Sequence, residues 1–392
     1  MRASWFARLA VVVGGSVLLW SCGGNSTAPI TAKSIAVVNG NAQTGPGGED
    51  LPDSLRVVVM GSNGAALAGA TVNWAVAAGG ATVSPLTSTT NANGVTAAIL
   101  SLGPIGPVTA TATVSGLAPA TFTATSADPC GWLHAFGVGQ SVTGRLRQYD
   151  CALSDGSFID YYRFAVSGQQ ALGVKLAASP AFDAYLWFFA AAGPLVGVND
   201  DSLYGVVSNS FFKIVAAPGD YVVGANSYSL GETGLYTLSA PVTDQSAENC
   251  EEVWLTRGVT TAQVLSATDC AAAGPTYSDA YWLVLYGGDS LDVTVTFATS
   301  PTFDALLQLN QLTGSSLTPV ASDDSVLGSH LTFTATTAAF YQLVATTMTP
   351  GGHGAYTLTL AAPPVSAATI HAPRLLLDPQ LRPKLSRGPV KR

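Results

Sequence analysis

Short runs in which apolar and polar residues alternate recur along the chain between turn residues. Residues 108–114, VTATATV, and residues 291–297, LDVTVTF, each alternate over seven positions. A period of two places every second side chain on one face of an extended chain, so each run predicts a half-buried β-strand. Gly, Pro, Asn and Asp separate these runs, as expected of turns. The pattern therefore predicts an all-β protein built from many short strands.

The second half of the chain contains a duplication. All matched positions in the two copies lie 119 to 123 residues apart. Such a fixed period marks a structural repeat, and each copy has room for seven or eight strands, the size of a β-sandwich. The matches are Cys130 with Cys250, Cys151 with Cys270, DYYRF (160–164) with DAYWL (279–283), SPAFDAYL (179–186) with SPTFDALL (300–307), NDDS (199–202) with SDDS (322–325), and GLYTL (234–238) with GAYTL (354–358).

The order of these motifs resembles the bacterial pre-peptidase C-terminal domain. The shared features are an early D-x-Y, a central S-P-x-F-D-A-x-L, a following D-D-S and a closing G-x-Y-T-L. The resemblance implies two tandem jelly-roll-like β-sandwich repeats, at 130–241 and 250–361. Members of that family are non-catalytic modules of secreted and surface proteins, and some bind matrix proteins or polysaccharide.

Residues 34–127 form a different unit. Gly69-Ala70-Thr71-Val72-Asn73-Trp74, Thr90-Asn91-Ala92-Asn93-Gly94 and the strand from Val108 to Val114 resemble the bacterial Ig-like group 1 domain of the invasin and intimin type. The resemblance implies an Ig-like β-sandwich with Trp74 in its core, acting as a rigid spacer. Asn93-Gly94 is a typical hairpin pair.

The amino terminus has the pattern of an export signal. Arg2 and Arg8 precede an apolar stretch from Leu9 to Trp20 that is short for a membrane span. Residues 1–22, which end at Cys22, resemble a bacterial lipoprotein signal peptide. The resemblance implies acylation of Cys22, a tether at 23–33, and a protein held at the outer membrane or cell surface. An ordinary secretory signal that contains a cysteine is the alternative.

Five cysteines in an exported chain can form at most two disulfides, so one cysteine is left unpaired. Lipidation of Cys22 accounts for the odd one, and the remaining four recur at spacings of 21 and 20 residues. These spacings favour disulfides Cys130–Cys151 and Cys250–Cys270. Zinc is the competing interpretation, but no C-x-x-C pair or histidine cluster supports it.

Charge is distributed unevenly. Between Cys22 and Pro373 the chain has eight basic and 23 acidic residues, a net charge of −15. A folded region with this negative charge is unfavourable for binding nucleic acid, which requires a basic surface. Residues 362–392 carry six basic residues, one acidic residue and six prolines, which predicts a disordered basic tail.

Several aspartates recur at equivalent positions in the two copies and are candidate ligands for a metal ion. Asp183 and Asp304 each open a strand beside a D-D-S turn, where they could accept hydrogen bonds from backbone N–H groups. The alternative is calcium, which takes six to eight oxygen ligands. The candidate ligands are Asp183, Asp200 and Asp201 in the first copy and Asp304, Asp323 and Asp324 in the second. No cofactor is required by the sequence, and calcium stays an open possibility.

One strand offers a candidate ligand surface. Tyr185, Trp187 and Phe189 share a parity, and their partners in the second copy include Gln308 and Asn310. Polar residues at these positions predict an exposed face, so the three aromatic rings could stack on sugars or contact a protein. The alternative is that they pack against a neighbouring module or loop.

No catalytic constellation is recognisable. Gly288-Asp289-Ser290-Leu291 spells the GDSL motif of a lipase family, but it leads directly into a strand and no Asp-x-x-His follows. We therefore predict a non-catalytic, lipid-anchored surface protein for adhesion to a glycan or protein ligand. A structural envelope scaffold and an accessory subunit of a separate secreted hydrolase are the alternatives.

Overall fold

The computed structural model describes residues 29–178, 182–191, 194–200, 209–247, 252–271, 276–297, 304–325 and 328–362. These residues form β-strands and a single 3-10 turn at Pro129–Gly131, so the protein is all-β as predicted. No helix among them is both long enough and apolar enough to cross a membrane. Cys22 and the tail beyond Ala362 lie outside the described residues.

The first unit is a sandwich of two sheets. One sheet has the order β1-β3-β7-β5 and the other β2-β9-β8-β4-β6. The strands are β1 (Ala32–Asn39), β2 (Gln43–Pro46), β3 (Leu55–Gly61), β4 (Thr71–Ala78), β5 (Thr82–Ser84), β6 (Thr87–Thr89), β7 (Val95–Ser101), β8 (Gly106–Thr113) and β9 (Ala120–Ala127).

Trp74 lies in the core of this sandwich, as predicted. It is 2% exposed and packs on Phe122 with the ring centroids 6.0 Å apart. Its indole N–H donates to the Ser88 hydroxyl at 2.8 Å, which satisfies the polar group of a buried ring. The predicted hairpin at Asn93-Gly94 is wrong, because the turn joins β6 to β7 in opposite sheets. Gly94 still adopts the positive φ (68°) that favours glycine in a turn.

The second unit, called repeat 1, is also a two-sheet sandwich. Its sheets have the orders β10-β13-β18-β15-β16, with β12 beside β13, and β11-β19-β14-β17. The strands are β10 (His134–Ala135), β11 (Ser141–Leu146), β12 (Cys151–Ala152), β13 (Phe158–Val166), β14 (Gln170–Ala178), β15 (Ala184–Ala190), β16 (Leu195–Asn199), β17 (Asn209–Ala216), β18 (Gly219–Ser227) and β19 (Gly234–Ser239).

The third unit, called repeat 2, has the same topology. Its sheets have the orders β20-β23-β28-β25-β26, with β22 beside β23, and β21-β29-β24-β27. Each strand therefore corresponds to the strand ten places earlier. The strands are β20 (Glu252–Leu255), β21 (Val259–Leu265), β22 (Cys270–Ala271), β23 (Tyr277–Leu285), β24 (Ser290–Phe297), β25 (Ala305–Thr313), β26 (Ser316–Asp323), β27 (His330–Thr334), β28 (Ala339–Thr347) and β29 (Gly354–Leu360).

The two repeats share one continuous sheet. Strand β20 pairs in parallel with β17 of repeat 1 on one side and with β23 of repeat 2 on the other. The sheet that results has ten strands. Trp254 of β20 is 2% exposed and belongs to the core of repeat 1, where it contacts Phe212. The repeats are thus fused through backbone hydrogen bonds and a common core.

The disulfide predicted for repeat 1 is present. Cys130 and Cys151 are bonded, with their Cα atoms 4.6 Å apart, and they tie the segment before β10 to β12. Cys270 of repeat 2 is also disulfide-bonded. The predicted partner, Cys250, lies outside the described residues, so the second pairing stays a prediction.

Candidate functional site

The predicted aromatic ligand surface is not exposed. Tyr185, Trp187 and Phe189 are 0%, 1% and 0% exposed. Trp187 stacks on Phe189 at 6.0 Å, and its indole N–H donates to Asn226 at 3.2 Å. Tyr185 packs on Tyr228 with the ring centroids 6.0 Å apart. The expectation of an exposed strip is wrong, and the alternative, packing against neighbouring segments, holds.

The error comes from the polar residues of the second copy. Asn310 is only 7% exposed, and its side-chain oxygen accepts a hydrogen bond from Gln308 at 2.7 Å. Paired amides can be buried at little cost, so polarity at these positions does not require exposure. The unbroken apolar run at 184–190 was the better signal, because a strand buried on both faces has no polar alternation.

Asp183 and Asp304 occupy equivalent places at the entry to β15 and β25. The backbone carbonyl of Asp183 accepts from the Tyr228 N–H at 2.7 Å, and that of Asp304 accepts from the Met348 N–H at 2.8 Å. Each residue therefore joins the start of its strand to the end of the neighbouring one. This shared backbone bond supports a structural role for the pair.

The other candidate calcium ligands are distributed as follows. Asp323 uses its carboxylate to accept the His330 backbone N–H at 2.9 Å, and Asp324 is exposed. Asp200 is buried and Asp201 lies outside the described residues. Within the described ranges, no three His, Cys, Asp or Glu side chains are grouped so that they could hold a metal ion. Calcium binding stays the untested alternative to a structural role.

The repeated D-x-Y and G-x-Y-T-L motifs meet in a buried hydrogen-bond network. In repeat 1 the Tyr236 hydroxyl donates to Asp160 at 2.5 Å and lies 2.7 Å from the Tyr162 hydroxyl. The equivalent residues of repeat 2 reproduce both distances; they are Asp279, Tyr281 and Tyr356. Both motifs are recognisable in the sequence as repeats, but no contact between them was predicted. Their identity in the two copies was the available signal.

Burial controls the protonation of this network. Desolvation raises the pKa of Asp160 well above its usual value, and the nearby Asp150 carboxylate raises it further. Desolvation likewise raises the pKa of Asp150 to about 7, against the hydrogen bond that it accepts from the Arg147 backbone N–H. Asp150 and Asp160 thus form a buried acid pair that holds a proton near neutral pH.

The acid pair of repeat 1 lies against a loop of the Ig-like unit. A side chain at Gly48 would approach the Asp150 carboxylate to 2.3 Å, so glycine is required for this contact. Beyond it, Glu49 accepts from His134 at 3.0 Å. Burial alone would lower the pKa of His134, but the hydrogen bond and charge of Glu49 outweigh it and raise that pKa. The first two units are therefore joined by specific polar contacts.

A cleft of about 580 Å³ opens at this junction. Its charged lining residues come from both units: Glu49, Asp50, His134, Arg145 and Arg147. Arg147 lies 3.5 Å from Asp50, and Arg145 is exposed. Arg145 and Arg147 also line a second cleft, of about 600 Å³, together with Phe158 and Thr233. The two arginines therefore take part in both clefts.

These charged residues are specific to repeat 1. The strand pairings make His134 equivalent to Val253 and Arg145 equivalent to Val264. Arg147 is equivalent to Ser266, because each donates its backbone N–H to the following aspartate. The duplicated scaffold has thus kept its buried network in both copies and carries three basic or titratable side chains in one copy only. That difference marks the cleft as the candidate site.

The GDSL sequence has no catalytic geometry. Ser290 begins β24, and its carbonyl accepts a hydrogen bond from Arg257. The preceding turn is closed by the Asp289 carboxylate, which accepts the Tyr286 backbone N–H at 3.0 Å. This turn joins β23 and β24, which lie in opposite sheets, and it leads directly into a strand, as the sequence predicts.

Comparison with known proteins gives only remote similarities. No family model matches the chain, and no curated protein matches it. Solved structures with some similarity include the pre-peptidase C-terminal domain of collagenase from Bacillus anthracis, at 16% identity over 28% of this chain and 95% of that one, with a TM-score of 0.23. Invasin, described as a bacterial integrin-binding protein, shares 14% identity over 84% of this chain and 57% of its own, with a TM-score of 0.20.

A carbohydrate-binding module of the β-sandwich superfamily is also similar. It shares 10% identity over 85% of this chain and 99% of its own, with a TM-score of 0.20. At these identities and TM-scores no similarity assigns a family or a ligand to the chain. The all-β architecture rests on the strands described above.

Proposed function

We propose that the protein is a non-catalytic, exported surface protein, anchored through a lipid on Cys22, that binds an anionic glycan or protein ligand at the cleft between its Ig-like unit and repeat 1. The observation that carries the proposal is the pair of arginines, Arg145 and Arg147, which line the cleft and which repeat 2 lacks. They are basic side chains on a body whose net charge is −15.

The chemistry of the two arginines fits carboxylate recognition. Guanidinium groups present a planar fork of donors that can bind a carboxylate or sulfate in a bidentate manner. Glu49 and Asp50 line the same cleft and can accept hydrogen bonds from hydroxyl or amide groups of a ligand. A uronic acid polymer or an acidic protein loop offers both kinds of group.

The fusion of the units supports a presenting role. The Ig-like unit contacts repeat 1 through the Glu49–His134 pair, and repeat 1 shares its sheet with repeat 2. A rigid arm of this kind holds a binding cleft at a fixed distance from its anchor, which fits attachment better than catalysis.

Binding of the chain from residue 23 onward to acidic and neutral polysaccharides and to matrix proteins tests the proposal. We expect an acidic ligand to bind, and Arg145→Ala to weaken that binding by about tenfold, the loss of one charge-assisted contact. Arg163→Ala is the matched control, because Arg163 is an exposed arginine of the same repeat that pairs with Asp220 and does not line the cleft. Absence of binding to every ligand class would favour a structural envelope scaffold, and binding only to a separate hydrolase would favour an accessory subunit.

A further inference from the structure

The outer edge of β27 has no strand partner among the described residues. In repeat 2 the sheet order is β21-β29-β24-β27, so β27 is a terminal strand. The corresponding strand of repeat 1, β17, is also the last of its own four strands, but there β20 pairs with its outer edge. An open edge strand exposes unpaired backbone donors and acceptors and can accept a further strand.

The equivalent positions on the two edges can be assigned from the register. Lys213, Ile214 and Val215 pair with β20, and the pairing of β24 with β27 makes their equivalents Thr332, Phe333 and Thr334. Amide groups along an antiparallel strand point alternately to its two sides. The His330 N–H points away from β24, to Asp323, so Thr332 and Thr334 also direct their amide groups outward.

Phe333, on β27, lacks the neighbouring strand that covers its equivalent in repeat 1. Its equivalent, Ile214, is 0% exposed and lies beside Trp254 of the added strand. Phe333 packs on Tyr341 at 5.6 Å but is only half-buried. An additional strand carrying apolar side chains would complete its burial.

The chain leaves repeat 2 along the route that it takes out of repeat 1. After β19, the Pro241 carbonyl accepts from the Gly173 N–H, which holds the departing chain against β14. After β29, the Ala361 N–H donates to the carbonyl of Asp292, the equivalent of Gly173 on β24. The departing segment therefore begins its path beside the strand next to β27.

The sequence that follows contains a suitable strand at a suitable distance. In repeat 1, Val253 of β20 comes twelve residues after Pro241. In the tail, the single run of three large apolar residues, Leu375–Leu377, begins fourteen residues after Ala361. Fourteen extended residues reach about 46 Å, and three strand spacings cover about 14 Å, so the length is sufficient. The tail is also basic, whereas Asp292 and Asp323 flank β27.

We propose that Leu375–Leu377 of the tail adds to the outer edge of β27 as a parallel strand, as β20 adds to β17. Leu375 and Leu377 face the core beside Phe333, since this places two leucines rather than one against apolar surface. The tail thus seals the edge that the next repeat would occupy in a longer array.

Residue-resolved hydrogen–deuterium exchange of the chain from residue 23 to 392 tests this proposal, with a chain ending at Ala362 for comparison. We expect truncation to reduce the protection of the Thr332 and Thr334 amides by about tenfold or more. The Leu331 amide, which points to β24, should not change and is the internal reference. Unchanged exchange at Thr332 and Thr334 would overturn the proposal.

Point variants separate the strand from the charge of the tail. We expect Leu375→Asp with Leu377→Asp to reproduce the effect of truncation, and Leu376→Asp, on the opposite face, to leave most of the protection. If protection falls on dilution while the chain sediments as a dimer, the edge is covered by a second copy, and the proposed intramolecular docking is wrong.

Discussion

The Tyr236 hydroxyl donates a hydrogen bond to the Asp160 side chain at 2.5 Å inside repeat 1, where both side chains are buried. The same bond joins Tyr356 to Asp279 in repeat 2. In each copy it links the penultimate strand of one sheet to the opposite sheet, at positions that the duplication has preserved. The relationship defines what the two sandwiches have in common.

Removal of the donor should destabilise each repeat. Tyr236→Phe and Tyr356→Phe each remove one hydrogen bond to a buried carboxyl group, and we expect each to lower the free energy of unfolding by about 1–3 kcal/mol. Urea denaturation measures this change. Tyr149→Phe is the control, because Tyr149 is 41% exposed. Unaltered stability in both core variants would mean that the bonds do not contribute.

Stability should fall as pH rises from about 4 to 7. In the unfolded chain the pKa of Asp150 is near its usual 3.8, and in the folded chain it is about 7. Between these values the folded state binds the extra proton, so its stabilisation is complete below about pH 4 and is lost as pH passes through 7. The raised pKa of His134 acts in the same direction.

Thermal unfolding across this range measures the effect. We expect the melting temperature to be at least ~5 °C higher at pH 5 than at pH 8. Asp150→Asn should flatten the profile, whereas Asp53→Asn, at an exposed position, should not. A melting temperature that rises towards pH 8 in the unaltered chain would contradict the assignment of the acid pair.

The Cys130–Cys151 bond should contribute measurably to repeat 1. It closes a loop with a sequence separation of 21 residues, which corresponds to about 3 kcal/mol on the chain-entropy model. Replacing both cysteines by alanine should lower the free energy of unfolding by about that amount. Peptide mapping under non-reducing conditions should also find Cys250 joined to Cys270. Free thiols at these four positions in exported protein would refute both pairings.

The shared sheet should make the two repeats unfold together. Trp254 contacts Phe212 of repeat 1 and Phe340 of repeat 2. We expect Trp254→Ala to cost about 3–5 kcal/mol and to split one calorimetric transition into two. Leu230→Ala, at a side chain that is 65% exposed, should do neither. Two independent transitions in the unaltered chain would show that the repeats are not coupled.

Chelation tests the calcium alternative. Because no three His, Cys, Asp or Glu side chains of the described residues are grouped so that they could hold a metal ion, we expect excess chelator to leave the melting temperature unchanged. Scanning calorimetry with and without added calcium measures this. A calcium-dependent increase of several degrees, lost in Asp323→Asn, would establish a metal site.

Much of the architecture follows from local sequence. Alternation specifies strands, the repeated motifs specify a duplication, and Trp74 is large and apolar enough to require a core. Cys130 and Cys151 have the spacing of a bonded pair. These features depend on residues that are close together in the chain or on a comparison of the two copies. A single sequence contains both kinds of information.

The features that the sequence did not reveal depend on contacts between units. Nothing local to Glu252–Leu255 indicates that this strand belongs to two sandwiches at once. Tyr185, Trp187 and Phe189 were expected to be exposed because their counterparts in the second copy are partly polar, yet both faces of their strand are covered. The junction cleft combines an Ig-like loop with one repeat, and periodicity within either unit cannot show which loop meets which strand.

The shared strand has a consequence for the order in which the molecule is completed. A chain that emerges from its amino end forms the strands of repeat 1 first, but the pocket for Trp254 stays empty until residue 255 has appeared. During synthesis repeat 1 therefore has an open, aggregation-prone edge at β17, which is covered only when β20 has been made. Completion of repeat 1 therefore depends on the arrival of the first strand of repeat 2.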